Sequence, residues 1–159
     1  MKRVKREAVR ALILTPEGEI LLMRAEEPDS GRQVWFTPGG GLESGENPKT
    51  CLRRELDEET GVHNLQIGPP VWTRRATFDW AGQRITQDET FYLIRSNRFT
   101  PTNENNPDPV EGSAFREFRW WSVEQISASE EIFAPRHLAD YLKELIDYGP
   151  PHEPCDTGI

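Results

Sequence analysis

Apolar positions in this chain change their spacing several times, and each change marks an element. From Ala8 to Leu14 the residues are apolar and partly alternating, Pro16, Glu17 and Gly18 supply turn chemistry, and Ile20 to Met23 resume the apolar run. This pattern predicts two strands joined by a tight connection. A polar stretch from Glu26 to Gln33 reads as a loop, and Val34, Trp35 and Phe36 as a short strand running into Pro38 and the glycines Gly39, Gly40 and Gly41, taken as a loop able to approach a ligand closely. From Asn47 the signals become those of a helix. Asn is a good N-cap, Pro48 suits a first turn that needs no amide partner, and Gly61 stands where a left-handed cap ends a helix. Further on, Val71–Phe78 and Thr90–Arg95 read as a hairpin across a turn at residues 79–82, and residues 100–114 as a long loop. Phe118 to Trp121 form a strand, Ser122 caps a short helix, and Pro135–Tyr148 is a second long helix with Leu138, Leu142, Leu145 and Ile146 on one stripe. Mixed strands and helices predict an α/β class, a sandwich of helices on a mixed β-sheet.

Composition narrows this to one domain over residues 1–159, with a core over about 4–148 and a C-terminal tail, 149–159, ordered only if something holds it. A formal net charge of −8 opposes sequence-independent binding to a nucleic acid polymer. It leaves room for a small anionic substrate if divalent cations supply positive charge. Two cysteines, Cys51 and Cys155, with no zinc-type spacing suggest a reduced, cytoplasmic protein, and no apolar run is long enough for a signal segment or a membrane span.

The candidate chemistry lies in the predicted helix. At 3.6 residues per turn, Glu55, Glu58 and Glu59 share an arc of about 100°, bordered by Leu52 and Leu56 on the core-facing side. Like charges at that spacing cost a few tenths of a kcal/mol per pair unless a cation joins them. Hard cations such as Mg²⁺ take such oxygens. A solvated face paired with Arg53 and Arg54 is the plainer reading of the same run. Gly39 to Gly41, with Glu46 just before the helix, make a four-acid junction at a ligand-accessible turn the sharper one.

Gly40, five residues, Glu46, seven residues, and then Arg54, Glu55, Leu56, Asp57, Glu58, Glu59, Thr60, Gly61, Val62 resemble the complete signature of the Nudix hydrolases. The approach Thr37-Pro38-Gly39-Gly40, the later hairpin, and Arg119 to Ser122 leading into a C-terminal helix are similar to that family as well. The resemblance implies an α/β/α sandwich around a mixed sheet and hydrolysis of a nucleoside diphosphate linked to a group X. It implies that Glu55, Glu58 and Glu59 bind Mg²⁺ or Mn²⁺, with Glu46 and Gly40 in the metal set and Arg54 holding the carboxylates. The general base is then Glu55, Glu59 or a downstream acid, of which Glu111 is preferred to Glu117 and Glu89. Arg24, Trp35, Phe36 and Trp80 are candidates for the substrate pocket, since aromatic faces stack on bases and Arg pairs with phosphate; core packing competes for Trp35 and Phe36. Marks of individual subfamilies are missing: Thr77 and Phe78 stand where ADP-ribose members carry proline, and of the coenzyme A pattern only Leu21, Leu22 and Arg24 match. Small nucleotides are the expected substrate class, and dimers are common among relatives. The alternatives are a catalytically silent Nudix-fold sensor of nucleotide or protein, an isoprenoid diphosphate isomerase using Cys51, and RNA cap removal, which the net charge of −8 and the lack of a basic stretch oppose.

Overall fold

The computed structural model describes residues 2–107 and 114–159. Among the described residues, nine strands and three helices follow one another as β1 (Lys2–Leu14), β2 (Glu19–Glu26), β3 (Gln33–Phe36), β4 (Gly39–Gly41), α1 (Pro48–Thr60), β5 (Pro70–Trp80), β6 (Gln83–Arg95), β7 (Phe115–Ser122), α2 (Val123–Ala128), β8 (Phe133–Ala134), α3 (Leu138–Tyr148) and β9 (Cys155–Asp156). The sheet is mixed. β1 runs parallel to β6 along its whole length, from Lys2 opposite Gln83 to Leu14 opposite Arg95, and β5 lies antiparallel on the far side of β6. β1 meets β2 only at Leu14 and Ile20, so β2, with β3 on one side and β7 on the other, swings away from β1. The space between these two groups of strands opens into a cavity.

Strand alternation explains why both faces are covered. Val9, Ala11 and Ile13 of β1 pack with Leu21 against Cys51, Leu52 and Leu56 of α1. Leu12 and Leu14 point the other way and pack with Ile20, Leu22, Trp35 and Trp121 against Leu138, Leu142 and Leu145 of α3. Successive side chains of a strand alternate between faces, so one apolar run serves two cores. The outcome is the expected α/β sandwich, with α1 on one side and α2 and α3 on the other.

Several boundaries differ from the sequence reading for identifiable reasons. β6 begins at Gln83, not Thr90, because its first seven residues, Gln-Arg-Ile-Thr-Gln-Asp-Glu, are polar in all but Ile85 yet pair on both sides. Gly39–Gly41 are not a free loop but a strand antiparallel to Ala8–Arg10 of β1. The second long helix starts at Leu138, and Ile146, expected on its buried stripe, is 41% exposed. α2 begins as expected, with a capping box between Ser122 and Gln125. The tail is held: Cys155 and Asp156 pair in parallel with Trp72 and Thr73 of β5, and the buried Thr157 donates from both its amide (2.8 Å) and its hydroxyl (3.1 Å) to the carbonyl of Thr73.

Candidate active site

α1 begins and ends as its sequence dictates. The Asn47 side chain accepts from the amide of Thr50 at 2.9 Å, a cap worth about 1 kcal/mol. Gly61, at φ 73°, closes the helix by donating its amide to the carbonyl of Asp57. Between them Leu52 and Leu56 seat the helix on the sheet, and this seating turns Glu55 and Glu59 inward, where they are only 7% and 6% exposed. The charged run is therefore not a merely solvated face.

Two features organise these carboxylates. The first is Arg54. Its Nε and Nη2 donate to the two oxygens of Glu46 at 2.7 and 2.9 Å, and its Nη1 donates to Glu55 at 3.1 Å and to Glu58 at 3.2 Å. A planar guanidinium can bind one carboxylate with its fork and still reach others, which a lysine cannot reproduce. The Glu46 carboxyl is pulled down to about 2, chiefly by its hydrogen bonds from Arg54, and the Arg54 guanidinium is stabilised still further in its charged form, chiefly by Glu46. The second feature is the glycine strand. The amide of Gly39 donates to Glu59 at 2.8 Å. Gly39 has φ 147°, and a Cβ there would lie 2.0 Å from the carbonyl oxygen of Val9. A Cβ on Gly40 would lie 2.5 Å from an oxygen of Glu55. The bare backbone lets β4 slide between β1 and the acidic side of α1.

Beside Gly39, Gly40 and Glu59 opens a cavity of about 400 Å³, within the size range of small-molecule sites. Its wall includes Phe36, Phe78, Trp80 and Phe91, and the arginines Arg6, Arg10, Arg32 and Arg74. The deepest charge there is Glu89, 4% exposed. It accepts from Arg10 Nε at 2.9 Å, from Arg74 Nη1 at 2.7 Å and from Gln87 Nε2 at 2.7 Å. Burial alone would push the Glu89 carboxyl upward, yet the charges of Arg10 and Arg74 outweigh it and the group lies below the ordinary range. Arg10 also donates to the carbonyl of Thr37 at 3.2 Å, lies 5.6 Å from the centre of the Phe36 ring, and feels the charges of Glu59 and Glu55.

The residues singled out from sequence divide into three groups. Glu46, Arg54, Glu55, Glu58 and Glu59 come together with Gly40 at the α1 corner, although Glu46 meets Glu55 and Glu58 through Arg54 and not directly. Phe36 and Trp80 line the cavity. Trp35 and Arg24 do not: Trp35 is 1% exposed in the core under α3, and Arg24 pairs with Glu117 at 3.0 Å while its guanidinium lies 5.6 Å from the Trp35 ring. Glu117 is thereby also drawn away from the cavity, whereas Glu89 lines it. Glu111 lies outside the described residues. Cys51 is fully buried, and burial, reinforced by the charges of Glu46 and Glu55, pushes its thiol up to about 12, which makes it a poor nucleophile. The set missed from sequence is Arg10, Gln87 and Arg74 around Glu89. Its one visible signal was an arginine interrupting the apolar run Ala8–Leu14.

The donor set suits a hard divalent cation. Glu55, Glu58 and Glu59 offer carboxylate oxygens and β4 offers backbone carbonyls, with room made by the missing side chain of Gly40. Among the described residues no three acidic, His or Cys side chains stand at mutual ligand spacing, and Arg54 Nη1 occupies the point where Glu55 and Glu58 converge.

A model of the NUDIX domain matches residues 4–142. Nudix hydrolase 25 of Arabidopsis thaliana is 33% identical over 105 residues, 58% of this chain and 60% of that protein. The chain covers 48% of the chloroplastic Nudix hydrolase 26 of the same plant. The RNA pyrophosphohydrolase of Mesorhizobium japonicum is 29% identical over 143 residues, 82% of each chain. Among solved structures, the E. coli ORF135 protein superimposes with a TM-score of 0.63 at 23% identity, over 95% of this chain and 96% of that one, and the MutT protein of Methanosarcina mazei with 0.60 at 22%, over 92% and 96%. These likenesses establish the fold. With the family match running from β1 into α3, and with the acidic corner it brings, this chain belongs to the Nudix hydrolase family, whose members generally use divalent metal ions.

Proposed function

We propose that this chain hydrolyses a pyrophosphate bond in a small nucleotide, a nucleoside diphosphate linked to a further group, with Mg²⁺ as cofactor and Mn²⁺ able to replace it. The observation that carries this reading is the juxtaposition of the α1 carboxylates with a cavity lined by arginines and aromatic rings: Glu59, Gly39 and Gly40 belong to both. Glu55, Glu58 and Glu59 hold the cation, with Glu46 and Gly40 beside them. When bound, the cation neutralises phosphate charge and lowers the pKa of a coordinated water. Arg54 restrains the carboxylates through charge-assisted hydrogen bonds, so that little reorganisation is left for the reaction. Of Glu55 and Glu59, only Glu59 lines the cavity, which makes it the better placed of the two to accept a proton from water. Phe36, Phe78 and Trp80 supply faces for a base. Two unpaired thiols fit work in the cytoplasm, and among the described residues no helix is long and apolar enough to cross a membrane.

A second reading takes the nucleotide to be the 5′ end of an RNA. Relatives named RNA pyrophosphohydrolase support it, matching 77% and 82% of this chain, as do the exposed Lys2, Arg3 and Lys5 of β1. The net charge of −8 weighs against it. Phosphate and pyrophosphate release from nucleoside triphosphates, nucleotide sugars, dinucleotides and a 5′-triphosphorylated RNA oligonucleotide, each with Mg²⁺ and with EDTA, separates the readings. Metal-dependent turnover of free nucleotides supports the first, and turnover of the RNA alone supports the second. Tight nucleotide binding with no turnover leaves the silent sensor.

A further inference from the structure

The cavity changes character along its length. β5 and β6 each turn one face into it, and on that face Arg74, Phe78 and Trp80 follow one another on β5, opposite Glu89, Ile85 and Gln83 on β6. Arg74 and Glu89 pair across the strands at the inner end, while Trp80 and Gln83 pair at the hairpin tip. Trp80 lies six positions beyond Arg74, roughly 20 Å of extended chain. Thus the inner end is ionic and joins Glu59 through Arg10, and the outer end is aromatic.

The inner end carries more donors than its carboxylate accepts. Two guanidinium groups share Glu89, and the buried Nε of Arg74 has no hydrogen-bond partner. The Thr37 hydroxyl, 1% exposed and in the same hydrogen-bonded chain through the Arg10–Thr37 carbonyl contact, is likewise without one. A buried donor without an acceptor costs about 1–3 kcal/mol, so the arrangement favours arrival of an oxygen-rich anion.

We propose that Arg74 binds a phosphate of the nucleotide that stays in the cavity, and that Glu89 is a positioning residue holding Arg74 and Arg10 for it, with the base directed toward Phe78 and Trp80. This deepens, and rests on, the nucleotide reading given above. It implies selection for the 5′-phosphorylated form over the bare nucleoside, independently of any cation.

Calorimetric titration in EDTA, with adenosine, guanosine and their 5′-monophosphates as probes, tests this apart from hydrolysis. The wild-type chain is expected to bind a monophosphate about tenfold or more tighter than its nucleoside, the worth of one charge-assisted contact. Arg74→Gln should bring that ratio to about threefold or less without weakening nucleoside binding, and Arg74→Lys should restore part of it. Glu89→Gln should also lower the ratio, an effect that a merely structural role would not produce while nucleoside affinity holds. A ratio unchanged in a folded Arg74→Gln variant overturns the proposal even if the wild type hydrolyses nucleotides. A ratio that collapses in a chain hydrolysing nothing upholds the subsite and removes the hydrolase reading. If the wild type binds neither probe, or both equally, the proposal falls.

Discussion

At the α1 corner, Arg54 gathers Glu46, Glu55 and Glu58 from within eight residues of itself, whereas at the cavity wall Glu89 gathers Arg74 from 15 residues away and Arg10 from 79. Both are mixed clusters of arginine and glutamate, yet they are built with opposite signs in excess. The corner has one cation among several carboxylates and suits a cation from outside. The Glu89 cluster has one carboxylate between two arginines and suits an anion. A pyrophosphate with its metal would need the two side by side, and Arg10, within reach of the charges of both Glu89 and Glu59, is the residue that joins them.

Substitution can weaken either half of this pairing. The largest effect is expected from Glu59→Gln, which keeps an acceptor for the Gly39 amide but removes the charge: kcat should fall on the order of 10³-fold with the circular dichroism spectrum unchanged. A fall of less than about tenfold would remove Glu59 from the chemistry. Next comes Glu89→Ala, which strands two guanidinium groups beside each other. Urea unfolding should show a loss of about 3 kcal/mol, and a loss under about 1 kcal/mol would mean that the wall ions are solvated and not a buried network. Gly40→Ala should spare the fold, because the added methyl meets the end of a side chain and not backbone, but should displace the Glu55 carboxylate. We expect about a hundredfold loss of turnover with a melting temperature within a few degrees of wild type.

Acid titration sharpens the comparison further. Glu46 and Glu89 both have carboxyls lowered by their arginines, so the stability they contribute is complete above the unfolded value near 4.5 and is lost as pH falls, for Glu46 down to about 2. Glu46→Gln should flatten the acid limb of a stability-against-pH curve between about 4.5 and 2 and leave the neutral region alone; an unchanged limb would break the Arg54 assignment. The smallest effect concerns Cys51. At pH 8 iodoacetamide should label Cys155 and leave Cys51 unmodified by mass spectrometry, and rapid labelling of Cys51 in the folded protein would reopen the isomerase alternative.

The same contrast explains what was legible beforehand. The corner could be read because its parts are consecutive in the chain: Asn47, Pro48 and Gly61 bound the helix, and helical spacing then fixes which glutamates share a side. The wall depends on register. Only the full parallel pairing of β1 with β6 sets Arg10 near Glu89, and the polar first half of β6 concealed that pairing. Trp35 and Phe36 illustrate the limit at one position: alternation said that they face opposite ways, but nothing local said which way held the cavity. The held tail is illegible in the sequence for a related reason, since a two-residue strand has no periodicity.

That tail covers part of a sheet edge. β5 is the outermost long strand of its group, and an outermost strand with open amides and carbonyls is a template for strand addition and aggregation. Cys155 and Asp156 occupy the template beside Trp72 and Thr73, where the strand is most apolar. Farther along, where they no longer reach, the ion pairs Arg75–Asp88 and Asp79–Arg84 place exposed charges on β5 itself. The eight residues after Pro151 thus act as a built-in gatekeeper, and their removal should show first as turbidity on concentration, before any loss of turnover.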